Sequence, residues 1–375
     1  MIEIKPVRTK KDLIDFIKLP FKIYKNDPHW VAPLISEQKK YFNPGKNPYY
    51  DHSEVQLFLA LKAGSVAGRI SAHTNTQHNK FHNDKIGFFG FFECFDDQEI
   101  ADKLLNSAYE WLKNRGLDTI RGPMNFSTNH ECGLLVEGFN SSPFIMMTHN
   151  PAYYLKLLEI WGLKKSMDLF AYLLPNRPTP KKLLKLTKRL QERGNFTVRP
   201  LSRNKKALRK DLETVFTVYS KAWEKNWGFV PATKKEFQHE IDQILQVIRP
   251  EFFYLAYVEG EAAGFYVALP DYNQVLKKLN GRLLPFGFLK ALLYRNKITS
   301  LRIITMGVIK EYQKKGIDTV FYTKTFETAN NHKVLRIKNA ELSWVLENNE
   351  MMNKIARHLG GEIHKRYRIM DKKIN

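Results

Sequence analysis

Three stretches of this chain carry residue types whose spacing could do chemistry. The first is Lys310-Glu311-Tyr312-Gln313-Lys314-Lys315-Gly316-Ile317-Asp318, a polar, basic turn between an apolar run, Leu301–Ile309, and a helical pattern. A helix's first turn leaves N–H groups unpaired, and its dipole favours negative charge there. Gly316 lets the backbone approach an anion closely, and Lys314 and Lys315 add positive charge. The turn reads as a phosphate site or as an ordinary β–α turn with surface lysines. The second is Glu341, a carboxylate in the otherwise apolar segment Asn339–Leu346. Partly desolvated in a strand, it is either a proton acceptor or a core-edge partner for an arginine. The third is Arg121–Gly133, polar and turn-rich, with His130, Glu131 and Cys132. His130 and Glu131 could hold an amine or move its proton; the competing reading is an Ω-loop that ties its own backbone. Cys132 has no identifiable base and is not read as a nucleophile. His78 and His82 would share a helix face near His73, but no carboxylate or thiol completes a set, and no metal is expected.

These residues need elements to position them. Leu301–Ile309 is too short to span a membrane and reads as a strand buried on both faces. After the turn, Ile317, Val320, Phe321, Thr325 and Thr328 fall on one helix face. A strand over Asn339–Leu346 follows, then a helix with Met352, Ile355 and Leu359 aligned and Gly360-Gly361 as its stop. Upstream lies a hairpin, Phe252–Val258 with Ala263–Leu269. The first half has the same order: hairpin Val55–Lys62 and Ser65–Thr74, strand Lys85–Phe95, helix Gln98–Arg115, strand Asp118–Phe126, helix Pro151–Trp161. Residues 1–175 and 196–375 therefore form two units, joined over 176–195 by a linker and a basic amphipathic helix. In that helix Leu183, Leu186 and Leu190 share one side. It packs on the core or lies against anionic lipid. A second apolar insertion, Leu283–Arg295, flanked by Lys277, Lys278, Arg282, Arg295 and Lys297, reads as a lid on the other unit, a bilayer contact, or a wall for a long acyl chain.

The Gln313-x-x-Gly316-x-Asp318 turn after a Val-Ile strand resembles the pyrophosphate loop of the GNAT superfamily of acyl-CoA N-acyltransferases. The Asn-led unit Val345–Gly361 resembles the next strand and helix of that fold. The likeness covers Phe196–Arg368 and, more weakly, the first half. It implies an α/β (α+β) protein of two tandem GNAT-like domains, each a mixed, mainly antiparallel twisted sheet flanked by helices. It implies acetyl-CoA or a longer acyl-CoA as co-substrate, held by Gln313 to Asp318. The strand at Met306, Val308 and Ile309 would polarise the thioester, Asn349 would touch the pantetheine arm, and Trp223, Asn226 and Trp227 would face the acceptor. In that chemistry Glu341 is the leading base. Two positions depart from the family. Asp318 stands where Gly or Ala is usual, and Ala356 stands where many members carry a tyrosine general acid. The first half's turn, Asp96-Asp97-Gln98-Glu99, is acidic and would repel pyrophosphate, so CoA is expected only in the second.

Length and composition bound the rest. The 375 residues, 43% hydrophobic and 13% aromatic, suffice for two folded domains. Cys94 and Cys132 are the two cysteines, and the chain opens without a secretory apolar segment, so a reducing cytoplasm is expected. A net charge of +22 draws anions. No zinc-finger, helix-turn-helix or RNP-type pattern accompanies it, so no specific nucleic acid is expected. The reading is a cytoplasmic N-acyltransferase whose amine acceptor stays open, the basic and apolar insertions pointing to a lipophilic one and to an anionic surface at the inner membrane face as a peripheral site. The rival is a non-catalytic GNAT-fold module that binds membrane or protein. Possible relatives are the bacterial enzymes that N-acylate long-chain amines such as sphingoid bases.

Overall fold

A computed structural model describes residues 1–245 and 247–375. The first unit begins with β1 (Ile2–Pro6), α1 (Lys10–Ile23) and α2 (Ile35–Tyr41). Thr9 caps α1 and Asp12 returns the bond to the Thr9 backbone, which fixes the helix start. The hairpin is β2 (Val55–Lys62) and β3 (Ser65–His73), followed by α3 (Thr76–His82), β4 (Ile86–Cys94), α4 (Gln98–Lys113), β5 (Thr119–Gly122), β6 (Leu134–Glu137), α5 (Tyr154–Ile160) and β7 (Lys164–Pro175). Ile100, Leu104, Ala108 and Leu112, one stripe of α4, are buried against β3 and β4. Each large member of the stripe stabilises the fold by ~1.5–3 kcal/mol.

The second unit comprises α6 (Lys181–Gly194), β8 (Phe196–Pro200), α7 (Lys205–Trp223), α8 (Lys234–Ile244), β9 (Phe253–Val258) and β10 (Glu261–Pro270). Then come α9 (Asn273–Leu279), α10 (Gly287–Tyr294), β11 (Ser300–Val308), α11 (Ile317–Asn331), β12 (Asn339–Leu346), α12 (Glu350–His358) and β13 (Glu362–Lys373). The expected strand over Asp118–Phe126 is shorter than its apolar pattern, because Pro123 cannot continue the ladder.

All strands join one sheet, ordered β1-β2-β3-β4-β5-β13-β7-β12-β11-β10-β9-β8, with β6 on β13. The units exchange their last strands: β13, from the second, lies between β5 and β7, and β7, from the first, lies between β13 and β12. Across this seam Arg368 grips Asp168 with Nε and Nη2 at 2.8 and 3.1 Å. Burial pushes the Asp168 carboxyl up, but the guanidinium outweighs it and holds the group below its ordinary value.

Candidate active site

β11 and β12 run parallel from Ser300↔Asn339 to Ile303↔Leu342 and then part, β11 staying with β10 and β12 with β7. Successive residues of a strand turn their backbone groups to opposite sides. The Ile309 N–H goes to Ala263 O in β10 at 2.9 Å, so Val308 and Met306 turn theirs to the gap. Two side chains meet them there: Gln313 Nε2 donates to Val308 O at 3.1 Å, and Trp223 Nε1 to Met306 O at 3.0 Å. Gly307 admits the indole, since a Cβ there would lie 2.6 Å from Phe265 Cε1 and 3.3 Å from Trp223 Nε1.

Beyond the gap, Lys314 (φ 66°) and Gly316 (φ 82°) take left-handed conformations that bend the chain into α11. No side chain caps this helix, and Gln313, Lys314 and Lys315 are exposed beside its first turn. Ile317 is buried, anchoring the turn in the core. These features fit a pyrophosphate. Asp318 sits in the first turn, half-buried, without capping the helix. The linker helix α6 lies alongside: Leu190 Cδ1 would be 2.7 Å from a Cβ on Gly316, and Thr187 Oγ1 donates to Thr323 Oγ1 of α11 at 2.9 Å. The inward stripe of α6 includes Thr187 and Leu190; the expected Leu186 is instead 46% exposed. Asn349 caps α12, its Oδ1 accepting from Met352 N at 3.1 Å. Ala356 is fully buried, so α12 offers no acid at that position.

Glu341 lies at the parting point, opposite Arg302 in register. Its side chain has no exposed surface, and both oxygens accept hydrogen bonds: Oε1 from Ser343 Oγ at 2.7 Å, and Oε2 from His364 Nε2 at 2.7 Å. Arg302 Nε donates to Ser343 Oγ at 3.0 Å, while Nη1 donates to Ile145 O and Met146 O at 2.7 and 3.0 Å. An ion-pair partner in the core was one expectation for Glu341; the groups that touch it are a hydroxyl and an imidazole, with the arginine behind them. His364, on β13, keeps 18% of its side chain exposed, so it is the member of the pair that solvent reaches. Tyr367, three residues further along β13, is buried with its hydroxyl unpartnered, and Trp344 Nε1 is likewise unpartnered. The segment over the cluster is held from three sides: by Arg302, by Lys365 Nζ on Ser141 O at 2.8 Å, and by Asp271 Oδ1 accepting from Ile145 N at 2.9 Å. Burial pushes the Asp271 carboxyl up to about 7 and the Lys365 ammonium down to about 8.

The two polar or aromatic loops singled out in sequence meet each other. Thr128 Oγ1 donates to Gly228 O, Asn129 Nδ2 to Val230 O at 3.0 Å, and Tyr219 Oη to Asn129 Oδ1 at 2.9 Å. Trp227 lies under Arg121, whose guanidinium carbon is 5.1 Å from the ring centre. Asn226 forms the turn between them, its N–H on Trp223 O at 2.8 Å. His130 stands among the rings of Tyr41, Tyr49 and Phe126, and burial holds it down at about 4, hence neutral. Glu131 is exposed, its Oε2 accepting from Asn125 Nδ2 at 3.5 Å. Burial raises the Cys132 thiol to about 12, which disfavours a thiolate. His73 Nε2 donates to Phe126 O at 3.0 Å and His82 Nε2 to Phe229 O at 2.8 Å. Among the described residues, no group of three or more His, Cys, Asp or Glu is placed to hold a metal.

Sequence reasoning did not find His364, Ser343 or Arg302. An arginine inside the apolar run Leu301–Ile309 was the one available signal, since a buried guanidinium requires acceptors. His364 had none, because its strand was unassigned.

No family model matches the chain. It is 35% identical over 374 residues to protein YghO of Escherichia coli K12, covering 97% of this chain and 94% of that protein. It is also 35% identical over 375 residues to a bacterial ceramide synthase of Caulobacter vibrioides, covering 98% and 96%. A tandem GNAT protein from the clavulanic acid biosynthesis pathway superposes over the whole chain and 99% of its own, with a TM-score of 0.59 at 10% identity. A GCN5-related N-acetyltransferase from Sphaerobacter thermophilus does so over the whole chain and 96% of its own, with a TM-score of 0.55 at 13% identity. The solved structures show the fold, that of tandem GNAT proteins, and the curated relatives show the family: the chain belongs with protein YghO and the bacterial ceramide synthase.

Proposed function

We propose that this chain transfers an acyl group from acyl-CoA to the amine of a lipophilic acceptor. The observation that carries this reading is the Glu341–His364 pair beside the gap between β11 and β12. Acyl-CoA supplies the activated carbonyl when bound. Gln313, Lys314, Lys315, Gly316, Ile317 and Asp318 would hold its pyrophosphate, chiefly through open N–H groups at the start of α11. Met306 and Val308 direct backbone N–H groups into the gap, where they can polarise the carbonyl, with Ile309 fixing their register. His364 takes the proton from the attacking ammonium at Nδ1. Glu341, fully buried, does not meet the amine; it orients the ring through Nε2 and stabilises the charge that forms. Trp223, Asn226, Trp227, His130 and Glu131 supply a wall of the acceptor recess, and Asn349 a contact for the pantetheine arm.

The cofactor is assigned to the second unit, 196–375. In the first unit, 1–175, the equivalent gap is filled by its own chain: Met124 N donates to Phe89 O at 2.7 Å and Phe91 N to Asn125 Oδ1 at 2.8 Å. Asp97 already caps α4, where a phosphate would sit. A lipophilic acceptor is supported by the ceramide synthase relative, since ceramides are amides of long-chain amino alcohols. The rival, a non-catalytic module, draws support from Trp223, whose indole holds the Met306 carbonyl inside the gap. Mixing palmitoyl-CoA with sphinganine decides between them. The expected outcome is thiol release matched by amide formation, lost in His364→Ala while palmitoyl-CoA still binds. Failure of both acetyl-CoA and palmitoyl-CoA to bind would overturn the enzyme reading.

A further inference from the structure

The segment from Leu283 to Tyr294 presents its apolar residues the wrong way round for a protein core. In α10 the residues that face the body are Gly287, buried, and Ala291 and Tyr294, half-buried, at i, i+4 and i+7. The large side chains point outward: Leu284 is 74% exposed, Phe286 70% and Leu293 66%, with Phe288, Leu289 and Leu292 between 44% and 50%. A surface helix of a soluble protein buries its bulk and exposes its small and polar residues. Contiguous exposed bulk of this kind marks an interaction surface.

The charge around it selects the occupant. From Tyr272 to Ser300 the chain has six basic residues, Lys277, Lys278, Arg282, Lys290, Arg295 and Lys297, and no acidic one. All six are exposed, and among the described residues none pairs with a carboxylate. Bulky apolar side chains inside a cationic collar match a bilayer: the former enter the acyl boundary while lysine and arginine stay at the phosphates. No helix among the described residues is long and apolar enough to cross a membrane, so the contact is with one face.

We infer that the α9–α10 hairpin is a membrane-docking element that seats this protein on an anionic phospholipid surface. It also reaches the site. Asp271, immediately before α9, accepts from Ile145 N, and Asn273 Nδ2 donates to Pro143 O and Phe144 O at 2.9 and 2.9 Å. The Ile145 and Met146 carbonyls accept from Arg302, which supports the Glu341 cluster. Resting on the proposed lipophilic acceptor, this places the hairpin where an amine lying in the bilayer would enter; the docking itself stands without that reading.

The test is flotation of the full chain with vesicles of roughly three parts phosphatidylcholine to one part phosphatidylglycerol. Beside it run Leu284→Glu/Leu293→Glu and Lys290→Glu/Arg295→Glu, all at exposed positions where the fold is not at stake. Wild type is expected to float with the vesicles, at least about tenfold more than either variant, and to release as high salt screens the collar. Turnover of palmitoyl-CoA with a soluble short amine should be the same in all three, so loss of docking is distinct from failure of the catalytic reading. Wild type that does not float, or variants that float equally, would overturn the inference. So would a wild-type dimer in sedimentation velocity that the leucine variant dissolves without any vesicle binding, since the occupant would then be a second copy.

Discussion

In the proposed reaction Glu341 and His364 divide one task between a residue that water cannot reach and one that it can. The division predicts different consequences for their removal. His364→Ala should lower kcat by about 10²–10⁴-fold, the usual worth of a positioned base, with KM for acyl-CoA little changed. Added imidazole should restore part of the rate, an effect that a purely structural histidine would not show. Glu341→Gln should cost less, roughly 10–100-fold in kcat, because the ring remains but loses its orienting charge. Asp271 makes a separate prediction about stability. Burial holds its folded-state value at about 7, above its ordinary 3.8. The folded chain keeps a proton that the unfolded chain releases, so stability is full below about pH 4, falls as pH rises, and levels off above about 7. Asp271→Asn retains the acceptor for Ile145 N and removes that slope. Denaturant melts from pH 4 to 8 should show the variant gaining on wild type up to about pH 7, by at most on the order of 4 kcal/mol, then running parallel. A constant difference across that range would remove Asp271 as the titrating group.

The turn into α11 works because two helices and a strand converge on Gly316. Its φ of 82° and the approach of Leu190 leave no room for a side chain. Gly316→Val should therefore weaken acyl-CoA binding by tenfold or more and cost about 1–3 kcal/mol of stability. Leu190→Ala, which leaves the turn itself intact, should lower stability but spare binding; titration calorimetry separates the two. This turn was legible in sequence because everything it needs is local: an apolar strand, a glycine, lysines, and a helical period that restarts at Ile317. The same holds for the stripe of α4 and the hairpins, where one face of each element is plainly apolar. β7 and β13 were not legible. In β13 the inward series is Lys365, Tyr367 and Ile369, so a lysine breaks the alternation that marks a half-buried strand. That lysine is tolerated because carbonyls of the Gly138–Ser141 segment accept from it, which only the folded chain brings near. His364 was hidden for the same reason. In α10 the composition was visible, but not which way the bulk would face, since that depends on a Gly287–Ala291–Tyr294 stripe that no apolar-period argument singles out.

The strand exchange makes the two units one folding body. β7 leaves the first unit to pair with β12 from Asn339↔Pro175 to Leu346↔Leu169, and β13 leaves the second to pair with β5 from Met370↔Gly122 to Lys373↔Thr119. Withdrawing either unit would strip a central strand on both sides and expose ladders of unpaired N–H and C=O groups. It would also leave Asp168, only 1% exposed, with Lys165 but without Arg368; removing one partner of a buried charge costs up to about 3–5 kcal/mol. In the proposed site both members of the pair come from the second unit, His364 on the exchanged strand β13, while His130 and Glu131 come from the first. A protease site placed between Arg177 and Pro178, both exposed in the linker, tests this directly. After cleavage the pieces should co-elute at the intact mass, melt in a single transition, and separate only in denaturant. Acyl transfer should persist in the nicked protein, since no site residue lies near the cut. Two pieces that elute apart under native conditions would mean that the exchanged strands do not hold the halves together, and that the seam at Glu341 and His364 is assembled by the linker alone.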